Sequence, residues 1–162
     1  MLQNVPMGRT TYRAILQLLI LIVPAIWLSV ARAELGGDGA SVMADVAQLH
    51  GVMQTSNRAP IAVVTITADN GVIVREFLDS GGLVFAVTWS GPAVPDLREL
   101  LGHYFAGYTS VLSALPNAGR QRAIHVVMAD LVVQSGGHLR AYSGLAYLPA
   151  RLPAGVAPET LR

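Results

Sequence analysis

Histidines stand at positions 50, 103, 125 and 138, and their spacing limits what they could do. A zinc site asks for ligands one helical turn apart, or alternating as His-x-His along a strand. The closest pair, His125 and His138, is 13 positions apart. Only strand pairing could join them, with Asp130 between. Ser135-Gly136-Gly137-His138 offers a serine, backbone N–H groups and an imidazole in four residues. Acyl transfer needs those components, but it also needs the serine on a sharp elbow, and G-x-S-x-G is absent. A hairpin turn explains the two glycines, leaving Ser135 and His138 as an opposed pair beside it. A periplasmic hydrolase using His138 with Ser135 or Asp130 is therefore the alternative reading, and no residue is assigned as catalytic.

Paired carboxylates for acid–base work could come from Glu76, Asp79, Asp96 and Glu99. Asp79 falls in a turn and Asp96 at a helix start, where each has a structural role. Arg75 and Glu76 are strand neighbours and read as an ion pair on the sheet face. GGDGA lies near the start of the domain, not between a strand and a helix, so it fails the context of a nucleotide loop. No cofactor and no metal are implied. What remains is binding. Trp89, Pro92, His138, Arg140 and Tyr142 could gather into an aromatic rim with an arginine donor, suited to a peptide or a glycan. The same aromatic residues would serve equally as core packing.

Those residues must be positioned by the elements around them. Ser41–Met53 carries apolar residues at helical spacing, with Ser41 as N-cap. The runs 61–67, 72–78 and 83–89 are rich in β-branched residues and are separated by Asp69-Asn70-Gly71 and Asp79-Ser80-Gly81-Gly82, both tight-turn signals. Pro95 and Asp96 open a helix whose Leu97, Leu100, Leu101, Tyr104, Phe105, Tyr108, Val111 and Leu112 form one apolar stripe, with Gly102 and Gly107 inside it. Three more strands follow at 123–128, 131–135 and 138–148, the last two joined at Gly136-Gly137. The pattern predicts an α+β fold: an antiparallel sheet of two three-stranded runs, βββ-α-βββ, covered by one long amphipathic helix, plus a short N-terminal helix.

The first 33 residues have another purpose. Arg9 and Arg13 precede the apolar run Ala14–Val30, and Ala31-Arg32-Ala33 has small residues where signal peptidase requires them, at Ala31 and Ala33. Cleavage after Ala33 would export the protein to the periplasm or beyond; the competing reading is a retained membrane anchor. The rest holds eight arginines, no lysine and ten acidic residues, a net charge of −2. Such a chain has no basic stripe for nucleic acid. With no cysteine, disulfides and thiol chemistry are excluded together. The organisation expected is a signal peptide at 1–33, a loose leader and short helix at 34–59, an α+β domain at 60–150 and a proline-rich tail at 151–162.

ELGG, VIVREFLDSGGLVFAVTWSGPAVPDLRELLGHYF and DLVVQSGGHLRAYSGLAYLPARLPAGV together resemble a small exported proteobacterial family known only as domain of unknown function 2844. The resemblance implies an exported bacterial protein without an assigned activity, and it carries over no site residues. The function expected is a non-enzymatic binding or accessory module of the cell envelope, with an envelope protein, a peptide or a glycan as partner.

Overall fold

The computed structural model describes residues 35–58, 60–116 and 123–162. Contacts divide the chain into Met1–Val30 and Ala31–Arg162, and every described residue belongs to the second unit. The expected signal segment, with Ala31 and Ala33, lies outside the described residues.

Helix α1 spans Gly39–Gln48. Its N-cap is Asp38, whose carboxylate accepts from the N–H groups of Ala40 and Ser41 at 3.0 and 3.2 Å. Ser41, expected as the cap, sits inside the first turn and donates its hydroxyl to the Asp38 carbonyl. The helix stops at Gln48, short of the expected Met53. His50 takes a left-handed backbone (φ 48°), and a Cβ on Gly51 would stand 2.7 Å from the Ile66 side chain. The chain therefore turns there and enters a strand.

Among the described residues seven strands follow: β1 Val52–Arg58, β2 Ile61–Thr67, β3 Ile73–Leu78, β4 Val84–Gly91, β5 Ala123–Val127, β6 Val132–His138 and β7 Ala141–Tyr147. They form one sheet in the order β1-β2-β3-β4-β7-β6-β5, antiparallel at every pairing. Turn chemistry closes the first meander. Asn70 accepts from the Val72 N–H at 3.0 Å with Gly71 at φ 81°, and Asp79 accepts from the Gly81 and Leu83 N–H groups at 2.8 and 3.1 Å.

This corrects the expected fold. The sheet is not two three-stranded runs but a four-stranded meander and a three-stranded one, joined through β4 and β7. The missing strand is β1, read from sequence as the end of a helix and a loop. Its residues 52–57 are all exposed, so neither of its faces carries an apolar pattern. Gly136-Gly137 is not a turn either. Both glycines lie within β6, and the two-residue turn is Leu139-Arg140, with Arg140 in the left-handed region (φ 64°). A Cβ on Gly137 would collide with the backbone of Ala141 and Tyr142, so the glycine is required by close approach rather than by the turn.

Between β4 and β5 the chain crosses the sheet through α2 (Leu97–Leu101), a 3-10 turn (Gly102–Tyr104) and α3 (Phe105–Ala114). Asp96 caps α2, accepting from the Arg98 N–H at 2.8 Å. The helix expected as one rod is broken at Gly102, whose backbone (φ 51°, ψ −124°) lies outside the helical region and suits glycine alone. Gly107 lies within α3 at a close approach to the strand side: a Cβ there would meet the Met128 methyl at 2.7 Å.

The alternation of side chains sorts the core into two layers. Val64, Val74, Val87, Trp89, Val133 and Ala146 face the helices, which cover them with Leu100, Leu101 and Tyr108. Phe77, Phe85, Ala86 and Leu145 point to the opposite face. The proline-rich tail packs there through Leu152, Val156 and Leu161, with short 3-10 turns at Pro149–Arg151 and Pro158–Leu161. The segment before α1, expected to be loose, is also held. Leu35 is buried and its N–H donates to the Leu100 carbonyl, while Gly36 and Gly37 exchange hydrogen bonds with Val84.

Candidate functional site

The tail covers only part of the face opposite the helices. Beside it the sheet floors a cavity of ≈ 510 Å³. Register places its side chains. Arg75 pairs with Thr88, Thr88 with Leu145, Leu145 with Gln134, and Gln134 with His125, so these five residues form one row across β3, β4, β7, β6 and β5. Two residues along, Ser90, Ser143, Gly136 and Ala123 form the next row on the same face. At ~4.8 Å per strand, Arg75 and Gln134 stand roughly 14 Å apart across the floor. Glycine and alanine in the second row leave the space above it open.

The electrostatics of this cavity are one-sided. Among the described residues its lining carries the guanidinium groups of Arg75 and Arg162, the imidazole of His125, hydroxyls and one amide, and no carboxylate side chain. Arg162 arrives from the tail and donates to the Gln134 amide oxygen. That bond leaves the Gln134 NH2 group directed elsewhere. Thr88 is only 5% exposed, and its hydroxyl has no hydrogen-bond partner. A buried hydroxyl left unpaired costs free energy, and an incoming ligand is one way to recover it.

Arg75 and Glu76, expected as an ion pair, are on opposite faces of β3. Glu76 points under α1, where it meets Asp45 of that helix, and both are buried. Burial pushes the Glu76 carboxyl up to about 10, helped by the hydrogen bond to Asp45 and by the Asp45 charge. Burial also raises Asp45. With Glu76 turned away, Arg75 has no acidic partner among the described residues. Asp79 lies 4.0 Å from Arg151, Asp96 caps α2, and Glu99 is in the first turn of α2.

The residues singled out from sequence are placed as follows. Trp89 lines the cavity through its strand position, but its indole is buried on the helix face, lying across Gly144, with Nε1 unpartnered. Pro92 follows β4 and packs near Gly71. Tyr142 pairs with Gly91 and Gly137, on the helix face like Trp89. His138 ends β6 and Arg140 sits in the turn after it, both exposed. Trp89, Tyr142 and Pro92 are thus near one another at one end of β4, whereas His138 projects to the other face. Ser135 and His138 fall on opposite faces of β6. Asp130 is at the far end of that strand from His138, roughly 25 Å away along the chain direction at ~3.3 Å per residue. His103 is exposed, its ring centroid 3.9 Å from that of Tyr104.

Arg75, Thr88, Ser90, His125, Gln134, Ser143 and Arg162 were not singled out as a group by sequence. One signal was present: Arg75, Thr88 and Ser90 sit at polar positions of otherwise apolar strands. Among the described residues no group of His, Asp and Glu is arranged to hold a metal ion, and no helix is long and apolar enough to cross a membrane.

No curated protein and no solved structure matches the chain. One family model does, over residues 31–161, nearly the whole of the unit described above. The chain therefore belongs to the family described as Protein of unknown function (DUF2844).

Proposed function

We propose that this protein is an exported, non-enzymatic binding module of the cell envelope, with its ligand seated in the cavity on the sheet face opposite the helices. One observation carries the reading: a preformed cavity of ≈ 510 Å³ whose floor holds an unpaired buried hydroxyl and an arginine without an acidic partner among the described residues. Pockets of a few hundred Å³ with a small number of placed polar groups are the usual form of small-ligand sites. Rigid strands hold those groups, so binding does not have to order a loop. Export is supported by the basic n-region, the apolar run and the Ala31-Arg32-Ala33 site. A binding role rather than catalysis is supported by the separation of Ser135 and Asp130 from His138.

Filling the cavity tests this. Ser143 is exposed at the cavity wall, and Ser143→Trp would place an indole in it without disturbing the buried layers. The protein recovered from the envelope is compared with this variant by native mass spectrometry, circular dichroism confirming that both are folded. A bound mass carried by the native protein and lost from Ser143→Trp is the result expected. Retention of the same mass by the folded variant, or no bound mass on either, would overturn the reading.

A further inference from the structure

We infer that the cavity takes a sugar acid, a saccharide carrying a carboxylate, with Arg75 as the residue that receives the anionic group. This rests on the proposed reading of the cavity as a binding site. Arg75 is half-buried at the edge of the floor and has no ion pair or hydrogen bond among the described residues. A guanidinium presents a planar fork of donors that matches a carboxylate bidentately. Its cross-strand partner Thr88 adds the unpartnered, nine-tenths-buried hydroxyl on the same face. These two neighbours, one charged and one neutral, both lack the acceptor that a carboxylate would supply.

The remainder of the wall decides against a bare anion. The cavity is several times larger than an acetate or sulfate ion. Beyond Arg75 the floor continues through Ser90, Ser143 and Gln134, groups that both donate and accept, as ring hydroxyls require. Gly136 and Ala123 leave room above the strands for a ring. A peptide is a poorer fit. A peptide that adds a strand needs a free sheet edge, and although the floor reaches the edge strand β5, Thr88 and Arg75 stand on the sheet face three and four strands in from it. A neutral sugar is also poorer, because Trp89 has turned its indole to the other face and offers no stacking platform. Among the described residues the charged side chains of the lining are the guanidinium groups of Arg75 and Arg162, which favour an acidic sugar over a neutral one.

The test is a calorimetric titration of the full chain, produced with its own leader, against D-glucuronate, an oligogalacturonate, D-glucose and acetate. D-glucuronate or the oligogalacturonate is expected to bind saturably, with D-glucose and acetate at least tenfold weaker. Preference between the first two tells a free sugar acid from an acidic polysaccharide. Arg75→Gln, which keeps the strand and removes the charge, is expected to lower affinity for the acidic sugar at least tenfold. Arg75→Lys is expected to recover part of it. If D-glucose binds as well as D-glucuronate, or Arg75→Gln leaves binding unchanged, the sugar-acid assignment is wrong while the cavity reading stands. Failure of every probe to bind also overturns the assignment. The cavity reading itself falls if Ser143→Trp keeps whatever the native protein carries, or if neither protein carries a bound mass.

Discussion

Glu76 of β3 and Asp45 of α1 meet carboxyl to carboxyl beneath the N-terminal helix, each only 3% exposed, with one oxygen of each left without a partner. Two ionised carboxylates cannot share a buried site without a cation, so a proton must hold them together. Glu76 is the group that keeps it, donating to Asp45.

The pair makes stability depend on pH in a direction opposite to that of most salt-bridged carboxylates. Glu76 titrates at about 10 in the folded protein, against an ordinary value of 4.5. Its stabilising contribution is therefore complete below about pH 4.5, and is lost progressively as pH rises toward 10. Each unit is worth about 1.4 kcal/mol, so the loss between pH 4.5 and neutrality is on the order of 3 kcal/mol. Urea denaturation at about pH 5 and about pH 8 should show the protein more stable at the lower value. Glu76→Gln, whose amide still donates to Asp45, should flatten that difference. A native protein equally stable at both would refute the protonated pair.

Trp89 depends on the glycine opposite it. The indole occupies the space that a side chain at 144 would need, so Gly144→Ala forces it to move. Overpacking of this kind costs about 1–3 kcal/mol. The denaturation midpoint should fall accordingly, and an unchanged midpoint would mean that the indole is free to shift.

Gly102 and Gly107 should respond differently to alanine. Gly102 has a positive φ that alanine adopts only with strain, so Gly102→Ala should cost upward of ~1 kcal/mol. Gly107 is helical and opposed only by the flexible end of Met128, so the helix propensity gained by alanine, roughly 1 kcal/mol, offsets the adjustment. Equal destabilisation by the two changes would place the helix break elsewhere than Gly102.

Leu161 is buried against Phe77, Phe85, Ala86 and Leu145, and it fixes the position of Arg162 at the cavity edge. Leu161→Ala should therefore destabilise the protein by ~2–5 kcal/mol. A change below about 0.5 kcal/mol, the range of ordinary surface substitutions, would show that the tail is not part of the folded unit.

The proposed export signal gives the simplest measurement. Intact-mass analysis of the protein recovered from cells should place the N-terminus at Glu34. A chain beginning at Met1 would favour the retained anchor.

Much of the fold was legible because it rests on local chemistry. Ile61–Thr67, Ile73–Leu78 and Val84–Gly91 are β-branched runs bounded by residues that tolerate positive φ, and Asp96 and the leucine stripe mark where the helical segment starts and which side it buries, though not its break at Gly102. Strand β1 was not legible because an edge strand exposed on both faces has no periodicity to read. Gly136-Gly137 misled for a related reason. Glycine serves turns and close approaches alike, and which need it meets depends on the neighbouring strand.

By itself the sequence determined composition and local form: a basic stretch followed by an apolar run and a small-residue site, no cysteine, β-rich segments, a capped amphipathic helix and membership of a family without an assigned activity. The tertiary structure alone decided the order of the strands and hence the site. Arg75, Thr88, Gln134 and His125 come from four strands spread over some sixty residues, and each read singly is an ordinary polar position. Antiparallel register puts them in one row. The same alternation sends Glu76 the other way, to Asp45, and leaves Arg75 without the partner that adjacency in the sequence had offered it.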